Sequence, residues 1–146
     1  MNNSMNNLNQ LKKNIDIIIK KHALSEKDAP HLSINGEIGI FLIHGFGDSS
    51  YKMKYLYEFL SNQGFSVYST TIPTLYGKPL KVKYNYKSWI EQVKKELMLF
   101  KKLVKKIVIT GFSTGATIAI NIIESEKENF IDALVLISPA LFFVNR

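Results

Sequence analysis

Short apolar runs alternate with segments of helical periodicity along most of the chain. Four runs consist mainly of β-branched, aromatic and other apolar residues: 38–43, 65–70, 107–110 and 133–138. Mainly apolar runs of this kind predict strands buried on both faces, because regular alternation with polar residues is typical of strands with one face in water. Since helical segments separate the strands, the pattern predicts an α/β fold with a mostly parallel sheet of about four strands and helices on both faces.

Three segments outside these runs predict amphipathic helices. The first begins at Leu8, ends before Pro30 and follows residues 1–7, which are predicted to be disordered. The second is capped by residues 48–50 and stops at Gly64, and the third starts with a capping box at residues 88–91. The positions predicted to face the core are Leu11, Ile15, Ile18, Ile19 and His22 in the first, Met53, Leu56 and Leu60 in the second, and Trp89, Val93, Leu97, Phe100 and Val104 in the third.

A Gly-x-Ser-x-Gly pentapeptide, residues 111–115, joins the third long apolar run to small and apolar residues with helical spacing. This layout predicts a strand, a very tight turn and a helix, with Ser113 on the turn. The residues two positions before and after such a serine nearly touch, so only glycine fits at 111 and 115. The serine hydroxyl then stands clear of the sheet, beside the N–H groups and the positive dipole end of the following helix.

A second motif, His44-Gly45-Phe46-Gly47-Asp48-Ser49, directly follows the first predicted strand. Its glycines also allow the interpretation as a dinucleotide-binding loop. That interpretation fails because Ser50 replaces the third glycine and because the next strand carries no acidic residue at its end.

Together the two motifs resemble the α/β-hydrolase superfamily, in particular small bacterial carboxylesterases and monoacylglycerol-lipase-like enzymes of the serine aminopeptidase type. The resemblance covers roughly Gly36 to Val144. It implies a strand order in which the 65–70 strand lies outside, followed by the 38–43 strand, the strand before Ser113 and the 133–138 strand. Active-site groups then gather at the carboxyl ends of the central strands.

The resemblance also implies a reaction and the residues that perform it. Ser113 is implied as the nucleophile that attacks a small acyl ester and forms an acyl-enzyme, and the backbone N–H groups of Phe46 and Thr114 as the oxyanion hole. No cofactor or metal is implied. The residues implied to support this site are His44, Gly45, Gly111 and Gly115.

Two members of the catalytic triad are missing from the sequence. In this superfamily the acid and the histidine follow the serine, but no histidine follows Ser113. The later carboxylates are predicted to lie at the amino side of the sheet: Glu124, Glu126, Glu128 and Asp132. His44 is interpreted as a structural residue of the loop, and Asp48 as a helix cap.

We therefore predict a partial α/β-hydrolase fold, truncated after the strand that follows the Ser113 turn, in which residues 133–138 form an apolar sheet edge. A second polypeptide is one candidate source of the missing half. The alternative is a catalytically inactive remnant or binding module that keeps the half-fold.

Composition limits the remaining classes of function. The 146 residues include no cysteine, which excludes disulfides and thiolate metal sites, and they predict one domain over residues 8–146. The net charge of +7 comes almost wholly from lysine, alongside many Asn, Ile, Tyr and Phe residues, which indicates A/T-rich codons rather than a nucleic-acid site. No apolar run is long enough to span a membrane and the Asn-rich start lacks a signal core, so the prediction is a cytoplasmic protein without stable membrane insertion.

Overall fold

The computed structural model describes residues 2–72, 85–125 and 130–141. The helices are α1 (Asn2–His22), α2 (Lys54–Asn62), α3 (Tyr86–Lys101) and α4 (Thr114–Ser125). The strands are β1 (His31–Ser33), β2 (Ile38–Ile43), β3 (Ser66–Ser69), β4 (Lys106–Phe112) and β5 (Ala133–Ile137). Two short 3₁₀ helices cover Glu26–Asp28 and Ser50–Met53. Glu126 and Glu128 lie outside the described residues.

The sheet has the strand order β1-β3-β2-β4-β5, and β3, β2, β4 and β5 are parallel. This is the predicted α/β architecture and the implied order of the four main strands. β1 was not predicted: it pairs antiparallel with β3 at the outer edge. Three residues are too few to show strand periodicity, so its place is decided by pairing with β3 and not by local pattern.

Apolar side chains on the two faces of the sheet form two separate clusters. The larger one joins the sheet to α1, α3 and α4, and its fully buried members include Phe41, Tyr68, Leu97, Phe100 and Ile109. The smaller one contains Ile40, Leu42, Met53 and Val67, and the partly buried Leu56 and Leu60 of α2 pack against it. Helices therefore cover both faces, as predicted, because alternate residues of each strand point to opposite sides.

Two helix starts differ from the prediction. The first helix begins at Asn2 and not at Leu8, so residues 2–7 extend it instead of being disordered; once a helix is nucleated, adding a residue costs little. α3 begins two residues before the predicted capping box, because the side chain of Asn85 accepts a hydrogen bond from the Lys87 N–H at 3.1 Å and acts as the cap. At the second helix the cap lies within the predicted residues 48–50: Ser49, and not Asp48, caps the 3₁₀ turn that precedes α2, accepting from the Tyr51 N–H.

None of the described helices combines the length and the apolarity that crossing a bilayer requires.

β5 forms the edge of the sheet opposite β1, and its apolar residues are exposed on both faces. Leu134, Val135, Leu136 and Ile137 are between 37% and 44% exposed. Within the described part of the chain β5 pairs with β4 alone. A long apolar edge of this kind invites pairing with another strand.

We expect the 146-residue chain to self-associate through β5, and Val135→Lys to reduce that association, because lysine on an edge strand opposes edge-to-edge pairing. Val135 is 44% exposed, so the lysine can reach water without disturbing the core. Sedimentation velocity at several protein concentrations measures the effect. Tyr55→Lys, at an 85% exposed position of α2, adds the same charge elsewhere and should leave association unchanged. A monomeric wild-type chain would contradict the prediction.

Candidate active site

Ser113 occupies the turn between β4 and α4, with a φ of 52°. This left-handed conformation is uncommon for residues other than glycine and costs energy, so the surrounding contacts must hold it. The Ser113 N–H donates to the Ile137 carbonyl of β5 at 2.9 Å, and the Ser113 carbonyl accepts from the Ala116 N–H at 3.0 Å. Both backbone polar groups of the serine are thereby tied to neighbouring elements.

The two glycines of the pentapeptide are required by different neighbours. A Cβ on Gly111 would lie 2.5 Å from the Cα of Ala116, inside the first turn of α4. A Cβ on Gly115 would collide with the end of β2, where the His44 carbonyl oxygen would be 2.5 Å away. Gly111 therefore lets the chain reverse sharply, whereas Gly115 lets α4 begin in contact with β2. The sequence motif suggested contact within the turn, but the clash at Gly115 is with a strand about 70 residues earlier in the chain.

The loop after β2 lies against this turn. A Cβ on Gly45 would be 3.4 Å from the Cβ of Ser113 and 3.2 Å from the ring of Phe112. The parallel register aligns Ile43 of β2 with Gly111 of β4, so the two strands end at the same level. The structure thus brings together the two motifs that lie far apart in the sequence.

His44 is fully buried, and both of its ring nitrogens have partners. The Ile72 N–H donates to Nε2 at 2.9 Å, which makes Nε2 an acceptor and leaves the proton on Nδ1. Nδ1 then donates to the Gly45 carbonyl at 2.8 Å. Burial lowers the pKa of the imidazole, against smaller opposing effects of the Gly45 hydrogen bond and the Asp48 charge. A neutral ring with both nitrogens engaged has no lone pair for Ser113.

The hydrogen bond from His44 also fixes the direction of the Phe46 amide. In a trans peptide the C=O of Gly45 and the N–H of Phe46 point in opposite directions, so holding the carbonyl toward His44 turns the amide N–H away from it. Thr114 is the first residue of α4, where helical N–H groups have no intrahelical acceptor and carry the positive end of the helix dipole. Thr114 directly follows Ser113, and Phe46 directly follows Gly45, on which a Cβ would lie 3.4 Å from the Ser113 Cβ, so both residues adjoin the Ser113 turn.

The other titratable candidates lie elsewhere. His31 stacks on Tyr57 near the β1 edge, with ring centroids 5.6 Å apart, and His22 ends α1. Asp132 accepts a hydrogen bond from the Ile107 N–H at 2.7 Å, at the amino end of β4. That is about 20 Å from Ser113 at roughly 3.3 Å per residue. Glu124 is near the far end of α4. In the described ranges no three His, Asp or Glu side chains are grouped as a metal site would need.

A buried carboxyl group that the sequence analysis missed lies next to the loop. Glu96 of α3 is fully buried, and its Oε2 accepts from the Tyr68 hydroxyl at 2.8 Å and from the Thr70 hydroxyl at 2.6 Å. Burial raises its pKa to about 7, although the hydrogen bonds from Thr70, Gln92 and Tyr68 and the charge of Lys95 oppose the rise. A signal existed, because Glu96 is seven residues after Trp89 and therefore on the buried face of α3.

Glu96 is linked to the His44 loop through one side chain. The Gln92 amide donates to Glu96 Oε1 at 2.8 Å and to the Thr71 carbonyl at 2.9 Å. The next residue, Ile72, supplies the N–H that binds His44. A continuous path of short contacts therefore connects the interior of α3 with the peptide that precedes the Phe46 amide.

Comparison with known proteins bears on the fold. No protein-family model matches the sequence. The thermostable monoacylglycerol lipase of Bacillus sp. (strain H-257) is 26% identical over 103 residues, which are 68% of this chain and 40% of that protein. A solved structure from a study of the metagenome-derived lipolytic enzymes LipS and LipT superposes with a TM-score of 0.70 at 19% identity, covering 80% of this chain and 47% of the other. The fold is a partial α/β-hydrolase fold.

Two further solved structures support this assignment. The monoacylglycerol lipase of Paleococcus ferrophilus has a TM-score of 0.60 at 25% identity, over 77% of this chain and 43% of that one. The esterase EaEST of Exiguobacterium antarcticum has a TM-score of 0.65 at 20% identity, over 81% and 44%. The resemblance and the fold class predicted from the sequence are confirmed. The chain spans less than half the length of each of these α/β-hydrolases.

The buried carboxyl group predicts an unusual pH dependence of stability. In the unfolded chain the pKa of Glu96 returns to about 4.5, so the folded state holds the proton more tightly. Its contribution to the free energy of unfolding is complete below pH 4.5 and is lost as the pH rises to about 7, by about 3 kcal/mol. Because His44 titrates in the opposite sense, the quantity to measure is the difference between wild type and Glu96→Gln in urea unfolding at several pH values. The exposed Glu91→Gln should give a flat difference, and a flat difference for Glu96→Gln would refute the assignment.

Gly115→Ala tests the contact between α4 and β2. In an isolated helix this change is favourable by about 1 kcal/mol. Here the added methyl group meets the carbonyl oxygens of Ile43 and His44, so we expect the free energy of unfolding to fall by about 2 kcal/mol. Urea denaturation measures the change, with Asn121→Ala at an exposed site of the same helix as the control, expected to stay within about 0.5 kcal/mol. Stabilisation by Gly115→Ala would show that α4 is not packed against β2.

Proposed function

We propose that this protein is a serine hydrolase that cleaves carboxylic esters through Ser113. The observation that carries the proposal is the placement of Ser113 in a left-handed turn, with the Gly45 loop in contact on one side and the N-terminus of α4 on the other. The likeness to a monoacylglycerol lipase and to esterases supports ester substrates. Esters of a single acyl chain with a small polar alcohol are the substrate class we propose.

In the proposed reaction, Ser113 Oγ attacks the ester carbonyl carbon while a base removes the hydroxyl proton. The carbonyl oxygen becomes an oxyanion, held by the N–H groups of Phe46 and Thr114; one such donor is worth about 3 kcal/mol in comparable enzymes. The C–O bond to the alcohol then breaks and the alcohol leaves with the proton from the base. Water hydrolyses the acyl-enzyme by the same steps and restores Ser113.

The base and its orienting carboxylate come from outside these 146 residues in this proposal. All three histidines of the sequence precede Ser113, and the single one beside it, His44, has both nitrogens engaged. The edge of β5 offers a place for more strands, and it is adjacent to the site because Ile137 accepts from the Ser113 N–H. We propose that the acid and the histidine follow strands that pair with this edge, supplied by a continuation of this chain or by a second polypeptide.

The alternative is a catalytically inactive module that keeps the half-fold. The absence of an available base beside Ser113 among the described residues favours it. The two proposals differ in one result: only an enzyme gains a reactive serine when a histidine and a carboxylate are supplied.

We expect a fluorophosphonate probe to label Ser113 in the complete enzyme, in which the histidine and the acid are present, and Ser113→Ala to abolish labelling. Mass spectrometry of the labelled peptide identifies the residue. Ser138→Ala is the matched control, because Ser138 is an exposed serine with a φ of 47° directly after β5 and should not affect labelling. Equal labelling of wild type and Ser113→Ala would exclude Ser113 as the nucleophile. No labelling of the complete enzyme would favour the inactive module.

A further inference from the structure

A cleft of about 290 Å³ opens between α3 and α4, next to the Ser113 turn. Trp89 and Ile90 line it from α3, and Ile118 lines it from α4. The lining residues with polar groups are uncharged, namely Tyr86, Thr114, Thr117 and Asn121. Thr117 already donates its hydroxyl hydrogen bond to the Ala140 carbonyl at 2.9 Å. The described residues that line the cleft therefore suit an apolar ligand, because none of them is charged; Lys87, Glu91 and Lys94 line the adjoining groove farther along the two helices.

The cleft borders one of the two residues whose amides are proposed to hold the oxyanion, and its wall contacts the other. Thr114 is part of its wall. The ring of Phe46 stands edge-on to Trp89, with centroids 6.5 Å apart. A carbonyl oxygen held by the two amides would thus have one substituent of its carbon at the mouth of this cleft.

A second cleft near Ser113 has a different character. Phe112 and Ile137 line it, but so do Asp48 and Lys52, two charged residues. It also lies beside β5, the edge that we propose is covered by further strands. Binding an alkyl chain would cost less free energy in the cleft between α3 and α4, where none of the described lining residues is charged.

We propose that the α3–α4 cleft binds the acyl chain of the ester substrate. This inference rests on the proposed function and adds the substrate's orientation: acyl chain between α3 and α4, alcohol on the opposite side of Ser113. The acyl chain fits better than a polar alcohol, since the cleft offers few hydrogen-bond partners and one of its hydroxyls is already engaged. At about 30 Å³ for each water-sized group, the volume accommodates an unbranched chain of roughly ten carbons or fewer.

The fluorescence of Trp89 tests the proposal directly, because Trp89 is the sole tryptophan of the sequence. The wild-type chain is titrated with unbranched methyl ketones of about four to about twelve carbons, which carry a carbonyl group but no ester. We expect a saturable change of emission and an affinity that rises about fourfold for each added methylene, then levels off near ten carbons. No saturable change, or an affinity independent of chain length, would overturn the proposal.

Two variants on α4 locate the binding site. Asn121→Phe adds bulk at an exposed position in the cleft wall and should move the plateau to shorter ketones. Glu124→Phe adds the same ring at an exposed position of α4 that does not line the cleft, and it should leave the plateau unchanged. Identical curves for Asn121→Phe and wild type would place the ligand elsewhere.

Ser113→Ala separates this inference from the proposed function. Binding of ketones does not need the hydroxyl, so Ser113→Ala should bind them as the wild type does. Chain-length-dependent binding without labelling of Ser113 in the complete enzyme would refute the hydrolase and leave an apolar binding cleft. Labelling without ketone binding would keep the hydrolase and refute this orientation of the acyl chain.

Discussion

The approach of Gly115 to the carbonyl oxygens at the end of β2 is the contact on which the arrangement around Ser113 depends. It lets α4 begin beside the loop that contains His44 and Gly45, with no side chain between them. Because β2 and β4 are neighbours in register, their carboxyl ends are level, and the helix entering at contact distance brings Ser113 against that loop. Any side chain at position 115 would push α4 away from β2 and so separate the amides of Phe46 and Thr114 that we propose act together. The arrangement around Ser113 therefore depends on the absence of a Cβ at Gly115.

The parts of the site that could be predicted from the sequence are those encoded locally. A glycine-flanked serine between a strand and a helix specifies its own turn, and the rule that parallel strands end at one edge brings the His44 loop to it. The partners of His44 were not predictable, since the Ile72 N–H comes from a residue 28 positions later whose place depends on how β3 packs. β1 and the Asn85 cap were missed for a similar reason: pairing or a side-chain hydrogen bond decides them, not periodicity. The burial of Glu96 could have been predicted, because Glu96 is seven residues after Trp89 and therefore lies on the same face of α3.

The surroundings of Ser113 differ between the side toward β3 and α3 and the side toward β5. Toward β3 and α3 a polar network holds the loop, from Glu96 through Gln92 to the strand end that binds His44. Buried networks of this kind are costly if any member is unsatisfied, so they favour one geometry. Toward β5 the sheet presents exposed apolar side chains and an edge without a further strand in the described part of the chain. The network toward β3 and α3 fixes the direction of the Phe46 amide through His44. The exposed edge of β5 is where further strands can pair.

This difference between the two sides of Ser113 bears on which steps of the proposed reaction the described residues can perform. Stabilisation of an oxyanion by fixed amides needs only backbone geometry, and in serine hydrolases that lose a triad member a residual acceleration of about a thousandfold or more persists from such amides and from binding. Activation of the serine needs a base whose nitrogen is free, and His44 cannot supply it while it holds Gly45 and Ile72. The loop with His44 closes the β2 side of Ser113, and α4 begins directly after the serine. A base can therefore approach from the β5 side, where Ser113 is already bonded to Ile137, which is why we place the missing histidine beyond that edge.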